Sequence, residues 1–288
     1  MRRSVVLAAA AAVAMLAASD LAVSTAATAS PFLPGDQVVY SVTVELQQHH
    51  VRGKAKRDDI VSESSAQGTA TFAIYAVGQD GTAFANVALD FKGTNEGQPV
   101  ELQTTTPGKI TAAGQLLTKA HLGLGVSDAF GAANTTSGEI ARHETLAVGK
   151  SWTNAAKTSF LTLDVKRTVV GRTRYQGFAA YTLQSVGNGS LLRTADGQPA
   201  SGTITVGGTT YYDDRNRMLI GEAFRTLLIV QPAIPSMHDD YSSAFDVVLD
   251  SWTHASPAPL ASAAPSPLDT SSPLAPVPDE SPTPMLGL

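Results

Sequence analysis

Gly149-Lys150-Ser151 is the run in this chain that most resembles a reactive motif, because it matches the last three positions of a phosphate-binding loop. The first glycine of such a loop would fall at Glu144, and Trp152-Thr153 continue as strand rather than helix, so no helix N-terminus follows to present amides to a phosphate. A nucleophile elbow is missing as well: Gly125-Val126-Ser127-Asp128-Ala129 lacks the second glycine that permits the strained turn. Metal chemistry has two starting points, His49-His50 and His238-Asp239-Asp240, with Asp58-Asp59 able to approach the first pair across a hairpin. Adjacent strand residues point to opposite faces, and Arg52, Lys54, Lys56 and Arg57 would repel a cation. The sequence therefore predicts a solvated, charged hairpin tip, with no metal and no cofactor. Its four basic residues could speed encounter with an anionic lipid, polymer or partner without conferring specificity. Asp213-Asp214 sits in turn sequence, where Asp is favoured for its hydrogen bonds to backbone. Trp152 and Trp252 read as core or strand-end anchors.

With no reactive constellation, the ends of the chain say more. Met1-Arg2-Arg3-Ser4 followed by uncharged apolar residues from Val5 to Ala18 has the order of a secretory signal, and the run is shorter than the roughly 20 residues a membrane helix needs. Ala27-Thr28-Ala29 offers small side chains where a signal peptidase reads, predicting residues 1–29 as signal peptide and Ser30 as the first mature residue; Ala22-Val23-Ser24 is the alternative. Arg2-Arg3 reads as an ordinary basic leader, with a twin-arginine pair as the alternative. Cysteine is absent, which excludes disulfides, thiolate metal sites and a cysteine nucleophile. An exported chain without cysteine, rich in Ala and with more Arg than Lys, points to a bacterial periplasmic, secreted or envelope-associated protein. Asn134-Thr135-Thr136 and Asn188-Gly189-Ser190 are then chance glycosylation triplets. Residues 255–288 mix Pro, Ala and Ser and carry too little large apolar surface to offset their ordering entropy, so a disordered tail is predicted.

Between these ends, residues 30–254 suffice for one large domain. Its mildly acidic balance, 18 Lys plus Arg against 21 Asp plus Glu, provides no field for nucleic acid. The dominant period is two. Tyr40, Val42, Val44 and Leu46 share one face of a strand, and the same alternation returns at Leu161, Leu163, Val165 and Val169 and at Tyr241, Phe245, Val247 and Leu249. Turn chemistry at Gln79-Asp80-Gly81, Thr106-Pro107-Gly108, Ala195-Asp196-Gly197 and Asp213-Asp214-Arg215-Asn216 separates such runs. Strands are predicted near 37–49, 62–77, 82–92, 98–105, 109–113, 150–170, 178–187, 201–213, 217–230 and 241–253, joined as an antiparallel meander. From Leu116 to Ala133 the pattern changes: Leu117, Ala120, Leu124 and Phe130 fall at helix-like intervals, with Thr118 as a cap and Gly123 and Gly125 weakening the turn. A short irregular helical segment is expected. Gly35-Asp36-Gln37-Val38 and Gly149-Lys150-Ser151-Trp152 each open a run of strands, leaving an internal duplication and common turn chemistry both open.

The signal peptide, the long strands, Leu146-Ala147-Val148-Gly149-Lys150-Ser151-Trp152, and Tyr211-Tyr212-Asp213-Asp214 with Met218-Leu219-Ile220 together resemble bacterial periplasmic half-barrel proteins of the lipoprotein-carrier type and their uncharacterised relatives. The resemblance is architectural and covers roughly residues 35–253. It implies a large, curved antiparallel sheet with an apolar ligand on its concave face under helices; a β-sandwich is the alternative fold. The expected function is that of a non-enzymatic envelope protein binding a hydrophobic small molecule or lipid, with no nucleic-acid partner and no transmembrane segment after signal cleavage. A structural or adhesive envelope protein is the alternative, and a hydrolase without a recognisable motif the third. Small side chains at Ala70, Ala73, Ala76, Ala83, Ala85 and Ala88 suggest a sheet face that something must cover. Leu116, Leu117, Leu122, Leu124 and Phe130 are the candidate ligand-binding residues of such a cover.

Overall fold

The computed structural model describes residues 30–52, 57–118, 126–142, 145–159, 161–193, 199–231 and 237–254, with the backbone alone described at 50–52, 57–61, 126–128, 199–200, 231 and 237–238. The strands are β1 (Gln37–Arg52), β2 (Arg57–Val77), β3 (Ala83–Asn95), β4 (Gln98–Ile110), β5 (Leu116–Thr118), β6 (Ser151–Lys157), β7 (Leu161–Tyr175), β8 (Phe178–Arg193), β9 (Pro199–Asp213), β10 (Met218–Gln231) and β11 (Met237–Thr253). One helix, α1 (Val126–Ala141), lies between β5 and β6.

All eleven strands form a single antiparallel sheet in the order β5-β4-β3-β2-β1-β11-β10-β9-β8-β7-β6. It is an open, curved sheet, the half-barrel alternative rather than the sandwich. Two meanders build it. β1 to β5 step outward to one edge, β6 to β11 step inward from the other, and β11 closes against β1 over its full length, from Gln37 opposite Thr253 to Arg52 opposite Met237. The link from β5 to β6 therefore has to run from one edge of the sheet to the other. α1 sits on that link and packs on β1, β10, β11 and β5.

Period-two alternation sets which side chains enter the concave face. Val38, Tyr40, Val42 and Val44 of β1 are buried there beside Phe245, Val247 and Leu249 of β11, as a half-buried strand requires. Leu161, Leu163 and Val165 of β7 join the same core cluster, together with Ala129, Phe130, Ala132 and Ala133 of α1. Ile140 near the helix end belongs to a second cluster with Leu146, Val169, Tyr181, Leu183 and Tyr212.

The small residues of the sheet fall on both of its faces. Of the predicted small-residue face, Ala70, Ala83 and Ala85 are buried, whereas Ala73 and Ala88 are exposed and point outward. A Cβ added to Gly68 on the concave side would stand 2.0 Å from the carbonyl oxygen of Asp90 on the neighbouring strand, so the backbones approach there as only glycine allows.

Turns confirm some punctuation and relocate other parts. Asp80 caps the β2–β3 turn, its carboxylate accepting from the Thr82 amide at 3.0 Å and hydroxyl at 2.9 Å, which holds its carboxyl below the usual carboxylate range. Asp213 accepts from the amides of Arg215 and Asn216 and so shapes the β9–β10 turn. Thr106-Pro107-Gly108 is no turn: it lies inside β4, close to the sheet edge, where a missing amide donor costs little. The expected strand over 150–170 is a hairpin, β6 and β7. In the gaps between expected strands 82–92 and 98–105 and between 150–170 and 178–187 the chain turns at Glu96-Gly97 and Gln176-Gly177, with φ of 51° and 78° and of 48° and 82°, a pair of positive values as in type I′ turns.

Candidate functional site in the cup under α1

α1 differs in place and character from the expected Leu116–Ala133 segment. Leu116 to Thr118 form the short edge strand β5, and the helix spans Val126–Ala141. From Ala129 to Ile140 nearly every residue is buried, including Thr135, Thr136, Ser137 and Glu139. A helix enclosed in this way presents no one-sided apolar stripe, which is why the 3.6-residue period failed to locate it.

Of the candidate ligand residues, Leu116 and Phe130 are brought into one core cluster on the concave side. Leu117 is half-buried on β5. Leu122 and Leu124 lie outside the described residues, as do the 194–198 turn, the predicted signal peptide and tail, and the side chains of the charged tip, including His50, Asp58 and Asp59.

Three polar anchors dock α1, each on a different part of the sheet. Asn134 clamps β5, its Oδ1 accepting from the Leu116 amide at 2.5 Å and its Nδ2 donating to the Leu116 carbonyl at 2.8 Å. Gln115 Nε2 donates to the Asn134 carbonyl, and a Cβ at Gly138 would come within 2.8 Å of that nitrogen. In the middle, the Thr136 hydroxyl donates to Glu222 Oε1 of β10 at 2.6 Å, and the Thr210 hydroxyl of β9 donates to the same oxygen at 3.2 Å. At the far end, Glu139 is held by two strands directly and by a third through Arg167. Asn154 Nδ2 of β6 donates to its Oε1 at 2.7 Å, Arg167 Nε of β7 donates to its Oε2 at 2.5 Å, and Ser185 Oγ of β8 accepts from Arg167 Nη1 at 2.6 Å.

This ion pair is fully enclosed: the Arg167 and Glu139 side chains are 2% and 3% exposed. Arg167 and Ser185 are direct cross-strand partners, so the sheet register itself builds the support for the guanidinium. Glu222 is buried as deeply. Burial pushes its carboxyl above the usual carboxylate range, against the opposing pull of Arg167 and of the Thr136 and Thr210 hydroxyls, and with a smaller push from Glu139.

The concave face and α1 also carry polar atoms without a partner among the described residues. Glu222 Oε2, Thr226 Oγ1, Ser243 Oγ and Ser137 Oγ are buried and make no hydrogen bond among the described residues. Thr226 and Ser243 stand opposite each other on β10 and β11, one step along from the Phe224–Phe245 pair. Each such group carries a desolvation cost of about 1–3 kcal/mol unless something meets it. None of these polar residues was singled out from the sequence; only the inward register of Glu222 and Arg167 within alternating apolar strands could have marked them.

On the opposite, outer face, an open groove of about 550 Å³ crosses β1, β11, β10 and β9 beside Glu45, Gln47, Arg225 and Leu227. Of its charged groups, Arg225 is already engaged, pairing with Asp246 at 3.4 Å, and that pair is solvent-exposed. Among the described residues no helix is long and apolar enough to cross a membrane.

No family model and no curated protein matches the sequence. Among solved structures, the chain is similar to one described as lipid–protein interactions in lipovitellin, with a TM-score of 0.42 and 12% identity over 80% of this chain, which spans only 26% of that one. It is also similar to Pseudomonas aeruginosa OccK11 (OpdR), with a TM-score of 0.21 and 8% identity over 78% of this chain and 98% of the other. At these levels of similarity neither structure bears on what the protein does.

Proposed function

We propose that this protein is an exported, non-enzymatic carrier that holds an amphipathic molecule in the cup between α1 and the concave face of the sheet. One observation carries the reading: Glu222 Oε2, Thr226 Oγ1 and Ser243 Oγ, buried beside the Phe224–Phe245 pair on β10 and β11, and Ser137 Oγ of α1 have no hydrogen-bond partner among the described residues. A cup that is apolar in bulk with a few convergent polar groups is the usual composition of a small-molecule site. A ligand with both characters removes the desolvation cost and preserves the apolar burial. Export rests on the leader pattern of residues 1–29.

The test is native mass spectrometry of the mature protein purified without detergent, followed by solvent extraction and re-addition. The expected result is an adduct lost on extraction, with a fall in melting temperature that re-added amphiphile reverses by mass action. A bare mass throughout, and no change in melting temperature with any amphiphile, would overturn the reading and leave the four atoms as hydration sites.

A second reading, a structural or adhesive envelope protein, is favoured by the outer face, where Val186 and Leu227 are exposed near the open groove. It predicts attachment to envelope material that substitution of Leu227 and Val186 by Ser abolishes, with the cup left untouched.

A further inference from the structure

The sheet contains a finished receptor for one carboxylate, and the carboxylate now in it belongs to the crossover between the two sheet edges rather than to the sheet. Asn154 of β6 and Arg167 of β7 converge on Glu139 of α1, and Ser185 of the next strand, β8, holds the Arg167 guanidinium from behind. Arg167 is 1% exposed, the largest fully buried side chain of the described residues. α1 is poorly suited to hold its own conformation. Gly131 and Gly138 interrupt it, and Asn134-Thr135-Thr136-Ser137 are weak helix formers. Besides its buried apolar residues, polar side-chain anchors hold it on the cup, of which the Glu139–Arg167 pair is the one buried ion pair among the described residues.

Arg167 interrupts the buried apolar row of β7, with Val169 on one side and a longer strip on the other. Val165, Leu163 and Leu161 follow it at every second residue on the same face of β7, all buried, a span of roughly 20 Å at about 3.3 Å per residue. Leu191, Ile204 and Val206 of β8 and β9 belong to the same core cluster. A charged head at one end and a long apolar strip running away from it describe a single-chain amphiphilic acid.

We propose that the cup takes a long-chain carboxylic acid whose carboxylate replaces that of Glu139 on Arg167 and Asn154, with its chain along the Val165-Leu163-Leu161 strip, and that α1 gives way as it binds. The inference rests on the carrier reading and specifies its ligand class. Exchange of one carboxylate for another leaves no buried charge unpaired in the sheet, which is what makes the replacement feasible where simple withdrawal of Glu139 would be costly. The equilibrium is a competition, so weakening the internal competitor raises the fraction of receptor free to bind and with it the apparent affinity.

The experiment compares palmitic acid with hexadecanol, the same chain bearing a neutral head, on the solvent-extracted mature protein by titration calorimetry, together with hydrogen exchange of residues 126–141. The wild type is expected to bind the acid at least about tenfold more tightly than the alcohol. Glu139→Gln, which keeps the shape of the side chain and gives up its charge, should tighten the acid by about tenfold more and leave the alcohol unchanged. Because Arg167→Gln alone strands Glu139 as a buried charge, the double variant Glu139→Gln/Arg167→Gln is the control that keeps the fold; it should bind acid and alcohol alike. Exchange in α1 should quicken when the acid binds. Equal affinity for acid and alcohol in the wild type, or α1 exchange slowed by the acid, overturns the inference while the carrier reading stands. Failure of both ligands to bind removes the carrier reading and the inference together.

Discussion

Glu222 meets the cup from β10 with one oxygen engaged by two hydroxyls and the other by none. Burial raises its native pKa, while in the unfolded chain it titrates near an ordinary value of about 4.3. The folded state therefore keeps a proton that the unfolded state has released as pH rises above that value, and the stability this residue contributes is full below it and lost toward the raised native pKa. Glu222→Gln, which keeps an acceptor for Thr136 and Thr210 and cannot titrate, should gain on the wild type steadily from pH 4 to pH 8 in urea midpoints. A difference that is constant across that range would show that Glu222 is not held protonated. Arg167 has the opposite character, since its value lies in the partner it neutralises. Arg167→Gln should cost about 3–5 kcal/mol by leaving the Glu139 charge buried without a cation, and most of that cost should return in the double variant with Glu139→Gln. Denaturation midpoints decide it, and equal losses in the single and double variants would mean that the guanidinium matters for packing alone.

Among the elements, α1 and the concave strands obey different logic. The strands form because alternating Val, Leu, Phe and Tyr bury one face, whereas α1 forms because the sheet provides partners for Asn134, Thr136 and Glu139. Curvature divides the strand glycines into two kinds. Gly68 faces the cup with the Asp90 carbonyl where its Cβ would be, while Gly207 has open space on the outer face. Gly68→Ala should lower stability by more than about 2 kcal/mol through backbone displacement, and Gly207→Ala should leave it unchanged or raise it by about 0.5 kcal/mol. Thermal melts of the two variants test the assignment of faces directly, and equal effects would contradict it.

At the scale of the whole molecule, the two ends of the domain meet. Asp36, ahead of β1, accepts at Oδ2 from the Leu33 amide at 3.0 Å, from Trp252 Nε1 at 3.2 Å and from His254 Nδ1 at 3.1 Å, while Phe32 packs on Trp252 with ring centroids 5.1 Å apart. Trp252 is thus the strand-end anchor its position implied. Phe32 is already part of the core, so cleavage after Ala29 spares the clasp. The intact mass of the exported product should begin at Ser30; retention of residues 1–29 would refute the leader. Residues 255–288 follow the clasp, and their composition gives them little to bury. A chain ending at Ser256 should melt within a few degrees of the full mature protein, where about 1 kcal/mol corresponds to ~2–4 °C; a larger drop would show the tail packing on the domain.

Much of the fold was legible because it is written in short-range pattern. The period of two at Tyr40-Val42-Val44 and at Leu161-Leu163-Val165 marks which side chains go inward, and Asp80-Gly81 and Asp213 through Asn216 mark where the chain turns, each within a few residues. The pairing of β1 with β11, about two hundred residues away, has no local signature; it follows only once both meanders exist and their last free edges meet. The helix was misplaced for a related reason. Its Thr, Ser and Gly residues are poor helix formers in isolation, and its burial on every side erases the amphipathic period. Composition and spacing gave the polar residues of the cup no distinction, because Glu139, Arg167 and Glu222 become unusual only when three strands and a crossover place them away from water. A charge in sequence is a solvated charge by default; only the tertiary structure, by removing the solvent, turns it into a site.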